Sequence, residues 1–267
     1  MKRALAVAAL WVVAAARAAA QEPGPAELDC LIEPRERVVL AASVLGVVES
    51  VLVERGDRVE PGQVVATLEA SVERAMVTSA RARAESKGEL EGTEARLALE
   101  ARRHARSQKL FQQGIVSDVD LDESESRYVG ARIERDRARD AHVLAKLELA
   151  RAEAALGLHT LRSPISGVVV RRILAPGEYA DPPQVLELAQ VDPLYVEVFA
   201  PARMLGQIAL GAQGRVLPED PIGGEHAARV IVVDPVVDAA SGTFGVRLEL
   251  PNSEHAIPAG LKCKVRF

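Results

Sequence analysis

The chain has 267 residues, a formal net charge of −5 and only 3% aromatic residues. It is long enough for one to three small domains with real cores, and those cores must be built from Val, Leu, Ile and Ala. Lys2, Arg3 and Arg17 are the only charges in the first twenty residues, so the remainder carries −8; that balance argues against a nucleic-acid partner, which needs a basic face.

Residues 1–20 read as a secretory signal peptide. Lys2 and Arg3 form its charged start, Ala4 to Ala16 is an apolar run too short to span a bilayer, and Ala18-Ala19-Ala20 supplies the small residues of a cleavage site. The expectation is export to the periplasm with the signal removed; an uncleaved anchor is the other reading. Cys30 follows Leu28-Asp29 rather than small residues, so it does not read as a lipid-anchor cysteine. Residues 21–37 read as an N-terminal lead-in.

Residues 38–70 carry short apolar runs with turn chemistry between them. Val47-Val48, Val51 to Val53 and Val64 to Leu68 read as strands around the turn Arg55-Gly56-Asp57-Arg58. A second segment, 159–190, repeats this style about a hundred residues later. In each, an apolar run, a Gly (Gly46, Gly167), a second apolar run and a Gly-centred turn (Gly56-Asp57, Pro176-Gly177) follow one another. The two read as halves of one β-domain.

Between them, residues 71–158 contain no Pro and are rich in Ala, Glu, Arg and Leu, the strong helix formers. One helix is expected from Ser71 to Gln113, with Leu90, Leu97 and Ala101 on its apolar face. Gly114 breaks it. Ser117, Asp118 and Asp120 start a second helix, running to about Leu156, with Ile133, Leu144, Leu147 and Ala154 as its sparse apolar stripe. Two antiparallel helices of about forty residues would extend roughly 60 Å. The narrow seam suits a coiled-coil hairpin better than two members of a globular bundle.

Residues 191–267 return to short strands. Leu194 to Phe199, Val230 to Val233, Phe244 to Leu250 and Lys262 to Phe267 are punctuated by Gly and Pro turns, the pattern of a small β-barrel, with a short helix over Ala202 to Leu210. Cys30 and Cys263 are the two cysteines. Both are flanked by strand-like sequence assigned to one end of the molecule, so a disulfide is the expectation and a pair of buried thiols the alternative.

No residue constellation suggests catalysis. His104, His142, His159, His226 and His255 are dispersed without metal-ligand spacing, and Met76 and Met204 are the only methionines after the first residue. No Gly-rich phosphate loop joins a strand to a helix. A lipoyl or biotin carrier domain would present a lysine between its halves; here that place is Glu69-Ala70-Ser71, and Lys87 lies well inside the helical segment. The expectation is a non-enzymatic protein with no cofactor and no metal.

The split β-domain, the inserted helices and the phrases DPLYVEVFAP, VDPVVDAASGTFGVRLELPN and IPAGLKCKV resemble the HlyD-like periplasmic adaptor, or membrane fusion protein, family over essentially the whole chain after the signal. The resemblance implies a mixed α and β fold. Its parts are a split biotinyl-lipoyl-like β-domain, an inserted antiparallel α-helical coiled-coil hairpin and a small β-barrel. Arg106, Leu110 and Ser117, spaced Arg-x3-Leu-x6-Ser, are similar to the hairpin-tip motif by which such adaptors engage a TolC-like outer-membrane channel.

The resemblance implies three partners: that channel, an inner-membrane transporter of RND type ahead of ABC type, and further copies of the chain in a ring, as a hexamer. Adaptors serving RND pumps continue into a membrane-proximal domain, whereas this sequence finishes at Phe267, so a short form is expected. An envelope scaffolding protein without a pump is the competing reading.

Overall fold

The computed structural model describes residues 27–267; the signal segment read at 1–20 and the start of the lead-in lie outside them. The described residues form two compact units, one of residues 35–191 and one of residues 27–34 with 192–267. The chain opens with strand β1 (Leu28–Ala41). The lead-in expected over 21–37 is therefore a strand from Leu28 onwards. Its signal is the alternation Leu28, Cys30, Ile32, each buried, which Pro34 and the charged run after it cut short.

In the 35–191 unit the two sequence halves interlock. The first contributes β2 (Val48–Val51), β3 (Arg58–Val59) and β4 (Val64–Leu68), and the second contributes β5 (Thr160–Arg162) and β6 (Gly167–Arg172). β4 pairs with β5, and β3 with β6, both antiparallel. The turns also bond across the halves: Gly56 N–H donates to Val169 O at 2.9 Å and Gly62 N–H to Ser163 O at 2.8 Å. Neither half has enough apolar surface alone. Together they bury Val48, Val53, Val65 and Leu68 against Leu161, Val169, Leu186 and Leu188. β7 (Gln184–Pro201) closes on β6. Gly167 is needed there, because a Cβ at that position would lie 2.3 Å from Ala189 O.

Three helices separate the halves: α1 (Ser71–Glu85), α2 (Gly88–Gln112) and α3 (Asp118–Gly157). α1 and α2 both pack on α3. The arrangement is antiparallel, as the cross-helix pairs Arg81–Glu153 (2.8 Å), Arg96–Glu134 (2.9 Å) and His104–Ser124 (3.0 Å) show. The two ion pairs among them are exposed and report register more than stability.

Two helical expectations need correction. The first helix is not continuous to Gln113: it stops at Ser86, which is extended at ψ 113°, and restarts at Gly88. The inward-facing residues Val77, Ala84, Leu90 and Leu97 explain why. Their steps are seven, six and seven, so one residue is missing from the repeat and the break absorbs it. Glycines at 88 and 92 make that stretch the weakest place to hold a helix.

The second correction concerns the apolar stripe of α3. The covered seam is Leu121, Ser124, Tyr128, Ala131, Arg135, Ala138, His142, Ala145, Leu149, Ala152 and Leu156, in alternating steps of three and four. Ile133, Leu144, Leu147 and Ala154, expected to form the stripe, are exposed. Position in the repeat overrides hydrophobicity: between Leu121 and Leu149 the residues facing α1 and α2 are Ser124, Tyr128, Ala131, Arg135, Ala138, His142 and Ala145.

In the other unit, β8 (Gln213–Pro218), β9 (His226–Asp238), β10 (Thr243–Leu250) and β11 (Lys262–Arg266) join β1 and β7 in the order β1-β11-β8-β9-β10-β7. β1 and β7 also pair with each other, and just past the end of β1 Ala42 N–H donates to Pro183 O at 2.7 Å, within the 35–191 unit. Leu194, Val196 and Val198 of β7 and Val246, Leu248 and Leu250 of β10 alternate inward. Cys30 lies opposite Cys263 in the β1–β11 register, and the two are joined in a disulfide. The short helix expected over 202–210 is a single 3-10 turn, Ala202–Met204, and β8 had no separate strand reading in the sequence.

Candidate functional site at the tip of the helical arms

The turn between α2 and α3 is built by two end motifs. At the end of α2, Gly114 N–H donates to Phe111 O at 2.9 Å and Ile115 N–H to Leu110 O at 3.0 Å. This is a Schellman closure, which needs a left-handed residue at Gly114; its φ is +70°. At the start of α3, Ser117 is the N-cap. Its Oγ accepts from Asp120 N–H at 3.2 Å and donates to Asp120 Oδ2 at 2.6 Å, while Ser117 N–H donates to the same carboxylate at 3.1 Å. The hydroxyl hydrogen bond, followed by the backbone one, holds the Asp120 carboxyl below the usual carboxylate range.

The three residues singled out in the sequence all lie at this end. Arg106 is exposed on α2, Leu110 is half-buried in its last turn, and Ser117 is exposed with its hydroxyl engaged in the cap. The sequence reading missed the tip's apolar surface. Phe111 is 38% exposed, Ile115 65% and Val119 74%. A signal was present: a solvated turn would not place Phe, Ile and two Val residues within five positions of Gly114.

The tip is also electrically divided. The last turns of α2 carry Arg102, Arg103, Arg106 and Lys109 without an acid after Glu100, and the first turns of α3 carry Asp118, Asp120, Asp122, Glu123 and Glu125 without a base before Arg127. The ion pairs recorded here stay within a helix, Arg103–Glu100 at 2.9 Å and Arg127–Glu123 at 3.2 Å. Each sign suits the local end of its helix dipole.

Behind the tip the seam is polar. His104 stacks on Tyr128 with centroids 5.7 Å apart, and its Nδ1 lies 3.0 Å from Ser124 Oγ. Ser124 Oγ donates to Leu121 O at 2.8 Å, so the hydroxyl accepts from His104 and Nδ1 carries the proton. The tip thus offers an apolar centre, two charged flanks and a rigid base. Among the described residues no three His, Cys, Asp or Glu side chains gather to hold a metal ion, and no helix is long and apolar enough to cross a membrane.

Residues 36–189 match the profile of the CzcB-like, barrel-sandwich hybrid domain, the region formed by the two interlocked halves and the helices inserted between them. A "Cation efflux system protein CzcB" from Alcaligenes sp. (strain CT14) is 25% identical over 235 residues, covering 81% of this chain and 43% of that protein. An uncharacterized protein from Haemophilus influenzae is 21% identical over 239 residues, covering 89% of this chain and 56% of its own length. The chain thus spans about half the length of these curated relatives. In fold it is similar to MacA from Actinobacillus actinomycetemcomitans, with TM-score 0.74, 19% identity and coverage of 90% of this chain and 78% of that one. The membrane fusion protein Spr0693 from Streptococcus pneumoniae R6 gives TM-score 0.63 at 14% identity, covering 90% and 97%.

Proposed function

The chain belongs to the CzcB-like barrel-sandwich hybrid family of periplasmic adaptor (membrane fusion) proteins, and from that premise we propose that it bridges the two membranes of a tripartite efflux or secretion system. In this reading the arms are a coiled-coil hairpin and their tip docks on a TolC-like outer-membrane channel. The unit of residues 27–34 and 192–267 is a small β-barrel that works at an inner-membrane transporter, RND-type ahead of ABC-type. The chain is exported to the periplasm, assembles as a ring of six, and performs no reaction.

One observation carries the reading. A β-domain is interrupted to project two helical arms whose far end exposes Ile115 and Val119 between charged flanks. Apolar side chains as exposed as these at the end of a projection serve a partner, not a core. Arg106 donates to acceptors on the channel. Leu110, Phe111, Ile115 and Val119 fill an apolar groove, and the Ser117 cap fixes the angle at which α3 enters the tip.

The test is export in cells carrying the transporter and channel. Ile115→Asp and Arg106→Asp, each expressed at wild-type level with an unchanged melting curve, are expected to abolish resistance to the exported compound. Unchanged resistance in both overturns the channel-docking reading. Purification of transporter and channel with the chain supports the adaptor reading over the scaffold, and recovery of neither contradicts it.

A further inference from the structure

A cleft of ≈ 760 Å³ opens on the outer face of the 27–34/192–267 unit. Its floor is strands β1 and β11, where the Cys30–Cys263 disulfide joins them. In β1 the inward residues Leu28, Cys30 and Ile32 fill the core, so the alternate positions Asp29 and Leu31 face out into the cleft. Leu217 reaches it from β8. Phe199, outward on β7, forms a wall and is 59% exposed. A cleft of this volume suits a small molecule, and a phenyl ring left bare inside one is surface that a ligand can cover.

The charges around the cleft do not cancel. Glu27 is already engaged: Arg266 Nε donates to it at 2.9 Å and Lys264 Nζ lies 3.5 Å away. Asp29, Glu219 and Asp220 have no ion pair or side-chain hydrogen bond among the described residues, and Lys262 is the one lining cation in the same position. Three free carboxylates against one free ammonium draw positive charge into the cleft. The acids are also spread out. Asp29 stands on β1, Glu219 and Asp220 follow β8, and β11 runs between them. Among the described residues no three His, Cys, Asp or Glu side chains gather to hold a metal ion. Carboxylates too dispersed to chelate, beside a bare aromatic face, suit a large cation whose charge is carried on an apolar body.

We propose that this cleft binds a small organic cation with an aromatic body. The body covers Phe199, Leu31 and Leu217, and the positive charge lies toward Asp29, Glu219 and Asp220. The disulfide fixes the spacing of two lining strands, so the cleft is formed before the ligand arrives and little ordering opposes binding. Every group belongs to one unit of one chain, so the inference stands apart from the adaptor reading and needs neither channel nor transporter.

Fluorescence anisotropy with the purified full-length chain tests this. Rhodamine 6G, a cation on a xanthene frame, should bind saturably at one dye per chain, and fluorescein, an anion on the same frame, should not. Raising the salt from about 0.05 M to about 0.5 M should weaken rhodamine 6G several-fold. Phe199→Ala, and Asp29→Asn with Glu219→Gln, should each weaken it by about fivefold or more, with melting curves unchanged because all three side chains are exposed. Lys262→Gln should tighten it. Leu210→Ala, 72% exposed in the same unit but outside the cleft, should leave it unchanged. A flexible Arg-Phe-Arg peptide should displace the dye only at much higher concentration, because it must be ordered to bind. Displacement at equal concentration would assign the cleft to a polypeptide partner and overturn the small-molecule reading. Non-saturable dye uptake, equal binding of fluorescein, or unchanged affinity in both weakened variants would overturn the site itself.

Discussion

Two polar side chains show how single residues fix the geometry that function needs. Ser117 closes a reciprocal cap with Asp120, so Ser117→Ala should destabilise by about 1 kcal/mol, read from melting curves at pH 7. The folded Asp120 carboxyl is held below its unfolded value by the Ser117 hydroxyl and backbone. A depressed carboxylate contributes stability above its unfolded pKa and loses it as pH falls through the folded one. The difference between wild type and Ser117→Ala should therefore shrink below about pH 4; a difference constant down to pH 2 would contradict it. Asn252 is the counterpart in the 27–34/192–267 unit. It is buried, donates to Ile257 O at 2.9 Å and accepts from Ile257 N–H at 3.1 Å. Asn252→Leu strands both Ile257 groups and should cost about 1–3 kcal/mol per stranded group, measured by denaturant titration.

At the scale of elements, the arms are held by register rather than by a greasy seam. His142 Nδ1 is buried between the helices without a hydrogen-bond partner, and Arg135 Nε reaches only the neighbouring Asp136 carboxylate, at 3.0 Å and poorly aligned. Replacing His142 with Leu should raise stability by about 1–3 kcal/mol, seen as a higher thermal midpoint; a lower one would mean the imidazole is needed. This polar seam explains what was legible in the sequence. Helical composition, the Gly114 stop and the Ser117 start were readable because propensity and capping are local. The buried face of α3 was not, because Ile133, Leu144 and Leu147 outweigh Ser124, Arg135 and His142 in any hydrophobicity count. Only the partner helix decides which face is covered. The helix break at Ser86 escaped for the same reason, since it is set by phase against α3. At the tip, Ser117 could be read as a cap from its neighbours, whereas the exposure of Ile115 and Val119 depends on nothing else packing there.

At the scale of the molecule, chain order and spatial order differ at each end. The first described strand pairs with the last, and the disulfide ties residues 233 apart in sequence. In the chain-entropy picture a loop that long contributes about 5 kcal/mol as an upper value, so reduction should lower the thermal midpoint by several degrees or more. The two halves of the β-domain likewise form one core only when the inserted helices return residue 159 to residue 68, where Leu68 N–H meets His159 O at 2.8 Å. Interruption costs little when the inserted arms bring their own ends together, which is how a small β-domain can carry an extension that reaches a distant partner.

That reach is the central claim, and site-specific photocrosslinking from the tip in living cells tests it most directly. A photoreactive residue at Ile115 or Val119 should form an adduct with an outer-membrane channel, while the same residue at Val72, exposed at the base of the arms, should not. Adducts absent from both tip positions in a stably exported protein, or equal from tip and base, would contradict the account.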